Sequence, residues 1–330
     1  PDIIVTRAPI DLGEAVKKKI SLFGSIPPEN IIEAKDVNNI YQIPINFHKQ
    51  HIEDIILNQF GLKSGKSNLE HWENLIKTSE SLKDEIEIAL VGKYVELEDA
   101  YLSVKEALKA AGYKYHTKIK IKWVNSEELE EDNCNLKEIF KNSKGIIVPG
   151  GFGSRGIEGM IKACEYARTN KISYLGICLG MQIAVIEFAR HVCKLPDASS
   201  REFEELCVNP VIDLMADQKA IINKGGTLRL GNYKCKITKG TLAYEDYKTE
   251  EILERHRHRY EFNNNYKELL ASKGMIFSGI NPESNLVEII ELKDHPHFIA
   301  CQFHPEFKSR PTRPHPLFYS FIKASIENKK

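Results

Sequence analysis

Apolar and polar positions follow a regular order from residue 86 onward. The apolar runs at residues 86–91, 145–148 and 172–178 have the length and composition of buried strands. Between them, residues 98–111 and 157–168 carry apolar side chains at helical spacing. Strands that alternate with helices in this way predict an α/β fold with a doubly wound, mostly parallel sheet.

The N-terminal part of the chain is less regular. Within residues 1–62, an apolar run at 20–23 predicts a strand, and the pattern at 52–60 predicts a helix. Residues 63–84 are polar and rich in Ser, Lys and Glu, which predicts a linker. We therefore expect a small N-terminal part, a linker, and one larger domain over residues 85–330.

The C-terminal third contains further strand signals. Residues 228–238 predict a hairpin that turns at Gly231-Asn232. Apolar runs at 286–292 and 298–303 predict two more strands, and residues 316–327 predict a final helix.

Composition narrows the class of protein. Lys plus Arg and Asp plus Glu both count 46 in the 330 residues, so charge gives no argument for binding nucleic acid or an anionic membrane. The seven cysteines form no C-x-x-C pair, which argues against a disulfide framework and a zinc ribbon. We expect a reducing, cytoplasmic location, no membrane span and no metal site. The chain begins at Pro1 without a methionine, so we also expect the natural protein to start earlier.

The strongest chemical signal is a cysteine between two glycines. Cys178 ends an apolar run, Gly176 and Gly180 flank it, and a helical pattern starts at once. This G-x-C-x-G arrangement is the thiol counterpart of the nucleophile elbow, in which a sharp strand-to-helix turn exposes the reactive side chain. A sulfur at a helix N-terminus is also favoured as the thiolate. Cys178 is therefore the candidate nucleophile.

A candidate base follows another apolar strand. His304 and Glu306 are two residues apart, and residues i and i+2 point the same way in an extended chain. The carboxylate could then orient the imidazole, which completes a Cys-His-Glu triad. The alternative is a loop histidine without a catalytic role, and the cysteine elbow in the same chain makes the triad the better interpretation.

Glycines after the strand at 145–148 allow two interpretations. Residues 151–156 match G-x-G-x-x-G, which is also the dinucleotide-binding pattern. That pattern needs an acidic residue about 20 positions further on, where this chain has the cysteine elbow. We favour an oxyanion hole, formed by the backbone N–H groups of Gly151 and Leu179.

Two further patterns are weak. Residues 61–67 resemble a phosphate-binding loop but are one residue short between the glycines, so we interpret them as linker. His256 and His258 could ligate a metal, but two histidines without partners are weak evidence for a site.

Taken together, the elbow, the His304 segment and the glycine segment resemble the class I glutamine amidotransferases. Further segments are similar to the CTP synthase family, and residues 1–62 resemble the end of its synthetase domain. These segments are 17–20, 35–44, 92–94, 99–104, 226–231 and 255–261.

The resemblance implies a flavodoxin-like glutaminase domain and a small α/β remnant of a synthetase domain. It implies that Cys178 attacks the amide carbon of glutamine, that His304 moves protons, and that Glu306 orients His304. The ammonia would aminate UTP to CTP at an ATP- and magnesium-dependent synthetase site. It further implies activation by GTP, inhibition by CTP, and a homotetramer. No cofactor is implied in the glutaminase domain.

The resemblance also implies binding residues. Glu202 would hold the α-amino group of glutamine and Arg259 its α-carboxylate, and Arg155 would contact GTP. The remaining glutamine positions are Gly151, Leu179, Gly180, Met181 and Gln182. The nucleotide positions of the synthetase part are Lys19, Lys35, Asp36 and Val37.

Some features depart from the family, and alternatives remain. Residues 199–203 read Ser-Ser-Arg-Glu-Phe where the family usually has Asn-Ser-Thr-Glu-Phe. The phosphate- and magnesium-binding segments of the synthetase are not found in these 330 residues, so we do not expect this chain alone to make CTP. A stand-alone γ-glutamyl cysteine hydrolase of the same fold and a non-catalytic glutamine or GTP sensor are the alternatives.

Overall fold

A computed structural model describes residues 1–214 and 228–328. The chain forms two compact units, Pro1–Leu82 and Lys83–Lys330. The division falls inside the stretch 63–84 that the sequence predicts as a linker. Among the described residues, none of the helices combines the length and the apolar character that crossing a membrane requires.

The first unit is a small α/β arrangement. Two parallel strands pair along their whole length, with a helix between them in the chain. The prediction of a strand at 20–23 is wrong, because these residues lie inside that helix. Val16, Ile20 and Phe23 have the spacing of one helical face. The elements are β1 (Ile4–Ala8), α1 (Gly13–Gly24), β2 (Ile31–Lys35), α2 (Ile43–His48), α3 (Ile52–Gln59) and α4 (Glu70–Glu80).

Helix α4 belongs to this first unit. The rings of Trp72 and Tyr41 lie 5.9 Å apart, and the Asn39 side chain donates a hydrogen bond to Ser79 at 2.9 Å. About half of the stretch 63–84 is therefore an ordered helix that packs on the preceding residues.

The second unit is built on a nine-stranded sheet. Its described strands and helices are β3 (Asp84–Gly92), α5 (Leu102–Lys114), β4 (Thr117–Asn125), α6 (Leu136–Ile139), β5 (Ser143–Val148), α7 (Ile157–Asn170), β6 (Ser173–Ile177), α8 (Leu179–His191), β7 (Ala198–Ser200), β8 (Asn209–Leu214), β9 (Arg229–Ile237), α9 (Leu242–Tyr247), β10 (Glu251–His258), β11 (Tyr260–Phe262), α10 (Lys267–Ser272), β12 (Met275–Ile280), β13 (Val287–Leu292), β14 (Phe298–Cys301) and α11 (Pro316–Glu327).

Half of this sheet has the predicted parallel order. Strands β4, β3, β5, β6 and β14 are neighbours and run parallel. Strands β13, β12, β9 and β10 extend it in antiparallel fashion, and β11, β8 and β7 form a separate small sheet.

Helices cover both faces of the parallel strands, as the doubly wound prediction requires. Along β3, Ile88 and Leu90 contribute to the core under α5 and α11, whereas Ala89 and Val91 contribute to the core under α7 and α8. All four are fully buried. Because side chains alternate across a strand, such a continuous apolar run serves a sheet that is buried on both faces.

The predicted hairpin at Gly231-Asn232 is wrong. Strand β9 continues through both residues and pairs with β10, so that Gly231 lies opposite His256. Gly231 has a φ of +102°, a conformation that glycine adopts without strain inside a strand. The part of the 226–231 segment before Leu228 lies outside the described residues.

Candidate active site

Cys178 lies in the tight turn between β6 and α8. Its backbone has φ 53° and ψ −99°, a conformation that a non-glycine residue keeps only when its surroundings impose it. A Cβ on Gly176 would lie 2.6 Å from the carbonyl oxygen of Gly180, and one on Gly180 would lie 2.0 Å from that of Val148. Both glycines are therefore required by close backbone approach.

His304 follows β14, the neighbour of β6 in the sheet. Its Nδ1 lies 2.7 Å from Oε1 of Glu306, and both side chains are almost fully buried. The sequence argument for this pair assumed an extended chain. Instead, a 3₁₀ turn at Pro305–Phe307 brings the carboxylate back to the ring.

The imidazole and the thiol meet beside Gly150. A Cβ placed on Gly150 would lie 2.8 Å from Cε1 of His304 and 3.6 Å from Cβ of Cys178. Burial alone would lower the pKa of His304, but the Cys178 sulfur and the Glu306 carboxylate outweigh it and raise that pKa to about 10. The ring is thus held as a cation, with Glu306 on Nδ1 and Nε2 left for the sulfur.

A cleft of about 300 Å³ opens onto these groups. Its lining combines aromatic side chains, the Arg257 guanidinium and the glycine segment that follows β5. Its lining residues are Tyr94, Ala100, Tyr101, Ser103, Val104, Pro149, Gly150, Gly151, Phe152, Cys178, Arg257, His304, Glu306 and Phe307. A small ligand in this cleft would lie against the sulfur.

The oxyanion candidates are backbone N–H groups of the glycine segment and of the first turn of α8. Leu179 is the first residue of α8, where backbone N–H groups have no partner within the helix. A Cβ on Gly151 would lie 3.1 Å from Cδ2 of Leu179, so Gly151 packs against the Leu179 side chain. Leu179, Met181 and Gln182 are buried at the start of α8, directly after the nucleophile.

Glu202 and Arg259 come from different elements and lie near each other. Glu202 accepts a hydrogen bond from the Gly153 N–H at 2.9 Å. Burial raises the pKa of Glu202, and the Gly153 N–H, Lys93 and Arg259 oppose this shift. Arg259 lies at the bend between β10 and β11. A carboxylate and a guanidinium in this arrangement suit the two ends of an amino acid.

Arg155 lies in an adjoining recess of about 410 Å³. Its guanidinium pairs with Glu127 at 2.9 Å, donates to the Lys93 carbonyl, and lies over the ring of Tyr94. Tyr94 lines both the recess and the cleft, so the two spaces are neighbours.

The two histidines of β10 are part of a buried network. His256 and His258 share a hydrogen bond of 2.8 Å, and Arg229 pairs with Glu288 at 2.8 Å and with Glu261 at 3.3 Å. Burial lowers the pKa of His258 to about 3, so the ring is neutral at pH 7. These histidines therefore act as neutral hydrogen-bonding groups on β10, the strand that carries Arg257 and ends just before Arg259.

One group in the described ranges has the geometry to hold a metal ion, and none of its residues lines the cleft. It consists of Glu165, Glu187 and His191. The Arg168 guanidinium already binds both carboxylate oxygens of Glu187, so an added cation would have to compete with it.

The residues proposed for nucleotide contact in the first unit lie at one end of its small sheet. Lys35 ends β2 and pairs with Asp11 at 2.9 Å, and Asp36 pairs with Arg7 at 2.9 Å. Val37 follows at the half-buried position, and Lys19 is exposed on α1.

Sequence reasoning assigned no role to Lys93 or Gln302. Lys93 is 5% exposed and donates to the carbonyl oxygens of Phe152 and Gly153, which anchors the glycine segment. Gln302 is fully buried and donates to the Cys178 sulfur at 3.6 Å. The available signal was a polar residue directly after an apolar strand, at the carboxyl edge where parallel sheets hold their sites.

Comparison with known proteins extends this picture. The sequence model of the class-I glutamine amidotransferase family matches residues 96–324, and that of the CTP synthase N-terminus matches residues 1–62. A CTP synthase of Caldanaerobacter subterraneus is 53% identical over 329 residues, and that of Bacillus subtilis is 50% identical over 327. The matches cover 99–100% of this chain, which spans 61% of the length of these relatives.

A solved structure agrees with the sequence matches. The glutaminase domain of Trypanosoma brucei CTP synthase, with bound acivicin, is 37% identical. The match has a TM-score of 0.69 and covers 74% of this chain and 95% of that one. These relatives do not favour the stand-alone hydrolase. The chain therefore belongs to the class-I glutamine amidotransferase family and, within it, to the CTP synthases.

Proposed function

We propose that this chain hydrolyses glutamine to glutamate and ammonia and is the glutaminase part of a CTP synthase. The observation that carries the proposal is the meeting of a strained cysteine turn with a buried His304–Glu306 pair at one cleft. A structural cysteine needs neither the turn nor the imidazole.

In the first step the Cys178 sulfur attacks the side-chain amide carbon of glutamine. A C–S bond forms, and the C–N bond breaks as His304 gives its proton to the leaving nitrogen. Ammonia departs and a γ-glutamyl thioester remains. Water then attacks the thioester with His304 as the base, so that glutamate leaves and the thiol is restored. Glu306 holds Nδ1 of the ring throughout.

Backbone and charged groups bind the rest of the substrate. The N–H groups of Gly151 and Leu179 would stabilise the oxyanion that forms in both steps. Glu202 would bind the α-ammonium group, and Arg259 would bind the α-carboxylate in a forked contact. The turn from Leu179 through Gly180 and Met181 to Gln182 would contribute further contacts to glutamine beside Cys178.

The complete enzyme would use the ammonia to aminate UTP to CTP, with ATP and magnesium. Four residues of this chain would contact the nucleotides: Lys19, Lys35, Asp36 and Val37. Lys35 already pairs with Asp11, and Asp36 pairs with Arg7. Phosphate activation supplies the leaving group in that reaction; these residues only bind and orient.

Regulation and assembly are also part of the proposal. Arg155 would contact GTP as the activator, from the recess it shares with Tyr94. CTP would inhibit, and the complete enzyme would be a homotetramer. All seven cysteines are free, which suits a cytoplasmic enzyme.

An ammonia-release assay with glutamine tests the proposal. Wild-type chain should release ammonia, acivicin should inhibit it, and Cys178→Ala should reduce release by at least about 10⁴-fold without loss of fold. Cys301→Ala is the matched control, because that cysteine is also fully buried and lies outside any elbow. Equal release by wild type and Cys178→Ala would refute the assignment.

A further inference from the structure

A chain of side-chain amides runs through the core behind the nucleophile. Gln182 donates through Nε2 to the backbone carbonyl of Tyr260 at 3.2 Å and to Oε1 of Gln302 at 3.4 Å. Gln302 donates through its own Nε2 to the Cys178 sulfur at 3.6 Å. Gln302 is 0% exposed and Gln182 is 3% exposed, so water does not compete for these groups.

The contact with the Tyr260 carbonyl fixes the orientation of both side-chain amides, those of Gln182 and Gln302. A backbone carbonyl can only accept, so the Tyr260 oxygen requires the nitrogen of Gln182 on its side. The second N–H of that nitrogen then meets the oxygen of Gln302. With its oxygen engaged, Gln302 must present its nitrogen to the sulfur.

Neighbouring backbone contacts hold both ends of this chain. The Gln302 N–H donates to the Glu288 carbonyl at 2.9 Å, and the Cys178 N–H donates to the Cys301 carbonyl at 2.7 Å. The strand end that carries Gln302 and the turn that carries Cys178 are therefore fixed with respect to each other.

We propose that Gln302 is a positioning residue that stabilises the Cys178 thiolate through its buried amide N–H, and that Gln182 orients it. A donor aimed at a charged sulfur favours the charged form, and a buried site strengthens the effect. Since Tyr260 follows Arg259 in the chain, the same amides connect the substrate-binding bend with the nucleophile. This role rests on the proposed glutaminase function, but it concerns the sulfur alone.

Alkylation of Cys178 measures the thiolate without using glutamine. The intact chain is treated with chloroacetamide from pH 5 to pH 10, and the tryptic peptide 172–190 is quantified, because Cys178 is its single cysteine. For Gln302→Met we expect the midpoint of the rate-versus-pH curve to rise by about one unit, with alkylation at pH 7 about tenfold slower. Gln182→Met should move the midpoint in the same direction by less.

The control is Ile299→Val, on the strand that leads to Gln302 and equally buried, which should leave the midpoint unchanged. A merely structural role would change the melting temperature but not the midpoint. An unshifted midpoint in Gln302→Met overturns the proposal, and Gln182→Met decides it if Gln302→Met does not fold. A shifted midpoint in a chain that releases no ammonia would refute the glutaminase function and leave the amide chain supported.

Discussion

The backbone N–H of Cys178 donates a hydrogen bond of 2.7 Å to the carbonyl oxygen of Cys301. Strands β6 and β14 are parallel neighbours, and this bond continues their pairing to the point where both end. The nucleophile and the segment that carries His304 therefore leave the sheet side by side. Cys178 and Cys301 are more than a hundred residues apart in sequence but are in contact at the carboxyl ends of these two strands.

Substitution of Gly150 should reduce activity, because the space around this residue is crowded. We expect Gly150→Ala to displace His304, because the new Cβ would lie 2.8 Å from Cε1 of the ring. A misplacement of this size costs about 10²-fold in glutamine hydrolysis. Gly65→Ala is the matched control, since its Cβ would meet no atom within 4 Å. Steady-state ammonia release measures both, and full activity in Gly150→Ala would contradict the geometry.

Lys93 should act on the glycine segment rather than on the sulfur. Lys93→Met removes the donors to Phe152 and Gly153, so we expect hydrolysis to fall by about 10- to 100-fold while Cys178 alkylation is unchanged. Lys120→Met, which breaks an ion pair with Glu87, is the control.

A pH profile gives a second measurement of Lys93. Burial lowers the pKa of Lys93 to about 8, so the ammonium loses its proton as pH rises through that value. Wild-type activity should therefore decline above pH 8 as the charged hydrogen bonds weaken, and Lys93→Met should lack this decline. An equal loss of activity above pH 8 in both proteins would contradict this role of Lys93.

Removal of Arg229 should destabilise the second unit. Burial raises the pKa of Glu288 to about 7, and Arg229 opposes this shift. Arg229→Met would leave the buried Glu288 carboxylate without this cation, at a cost of about 3–5 kcal/mol in the free energy of unfolding. Urea denaturation at pH 8 measures the loss. Arg201→Met, at a partly exposed pair with Asp213, should cost less than about 1 kcal/mol.

Acid should weaken the fold through His258. Its pKa is lowered from 6.5 to about 3 by burial, so between these values the unfolded chain binds a proton that the folded chain does not. Stability should therefore fall as pH drops from 6.5 toward 3, by about 1.4 kcal/mol per pH unit for this group.

The matched variant is His258→Gln, which has no group that titrates in this window. Between pH 6 and pH 4, its free energy of unfolding should change less with pH than that of the wild type. The difference in slope should be about 1.4 kcal/mol per pH unit, which corresponds to one proton. His116→Gln, at a residue outside the buried core, serves as the control, and an unchanged slope in His258→Gln would contradict the assignment.

Local spacing was enough to predict the parallel strands and the cysteine turn, whereas His304 and Glu306 pair through a 3₁₀ turn and not through the extended chain that the spacing assumed. It failed where tertiary contacts decide. The run 20–23 is apolar enough for a strand but has helical neighbours, and Gly231 lies in a strand because β10 pairs across it. Gln302 and Lys93 each follow an apolar strand directly, but that position does not identify their partners, which come from remote segments.

The cleft residues from Tyr94 to Phe307 all belong to the unit Lys83–Lys330. Every group proposed here to cut the amide bond of glutamine is thus encoded downstream of Leu82. Ammonia production could be inherited, exchanged or lost as one genetic module, independently of the machinery that consumes the gas.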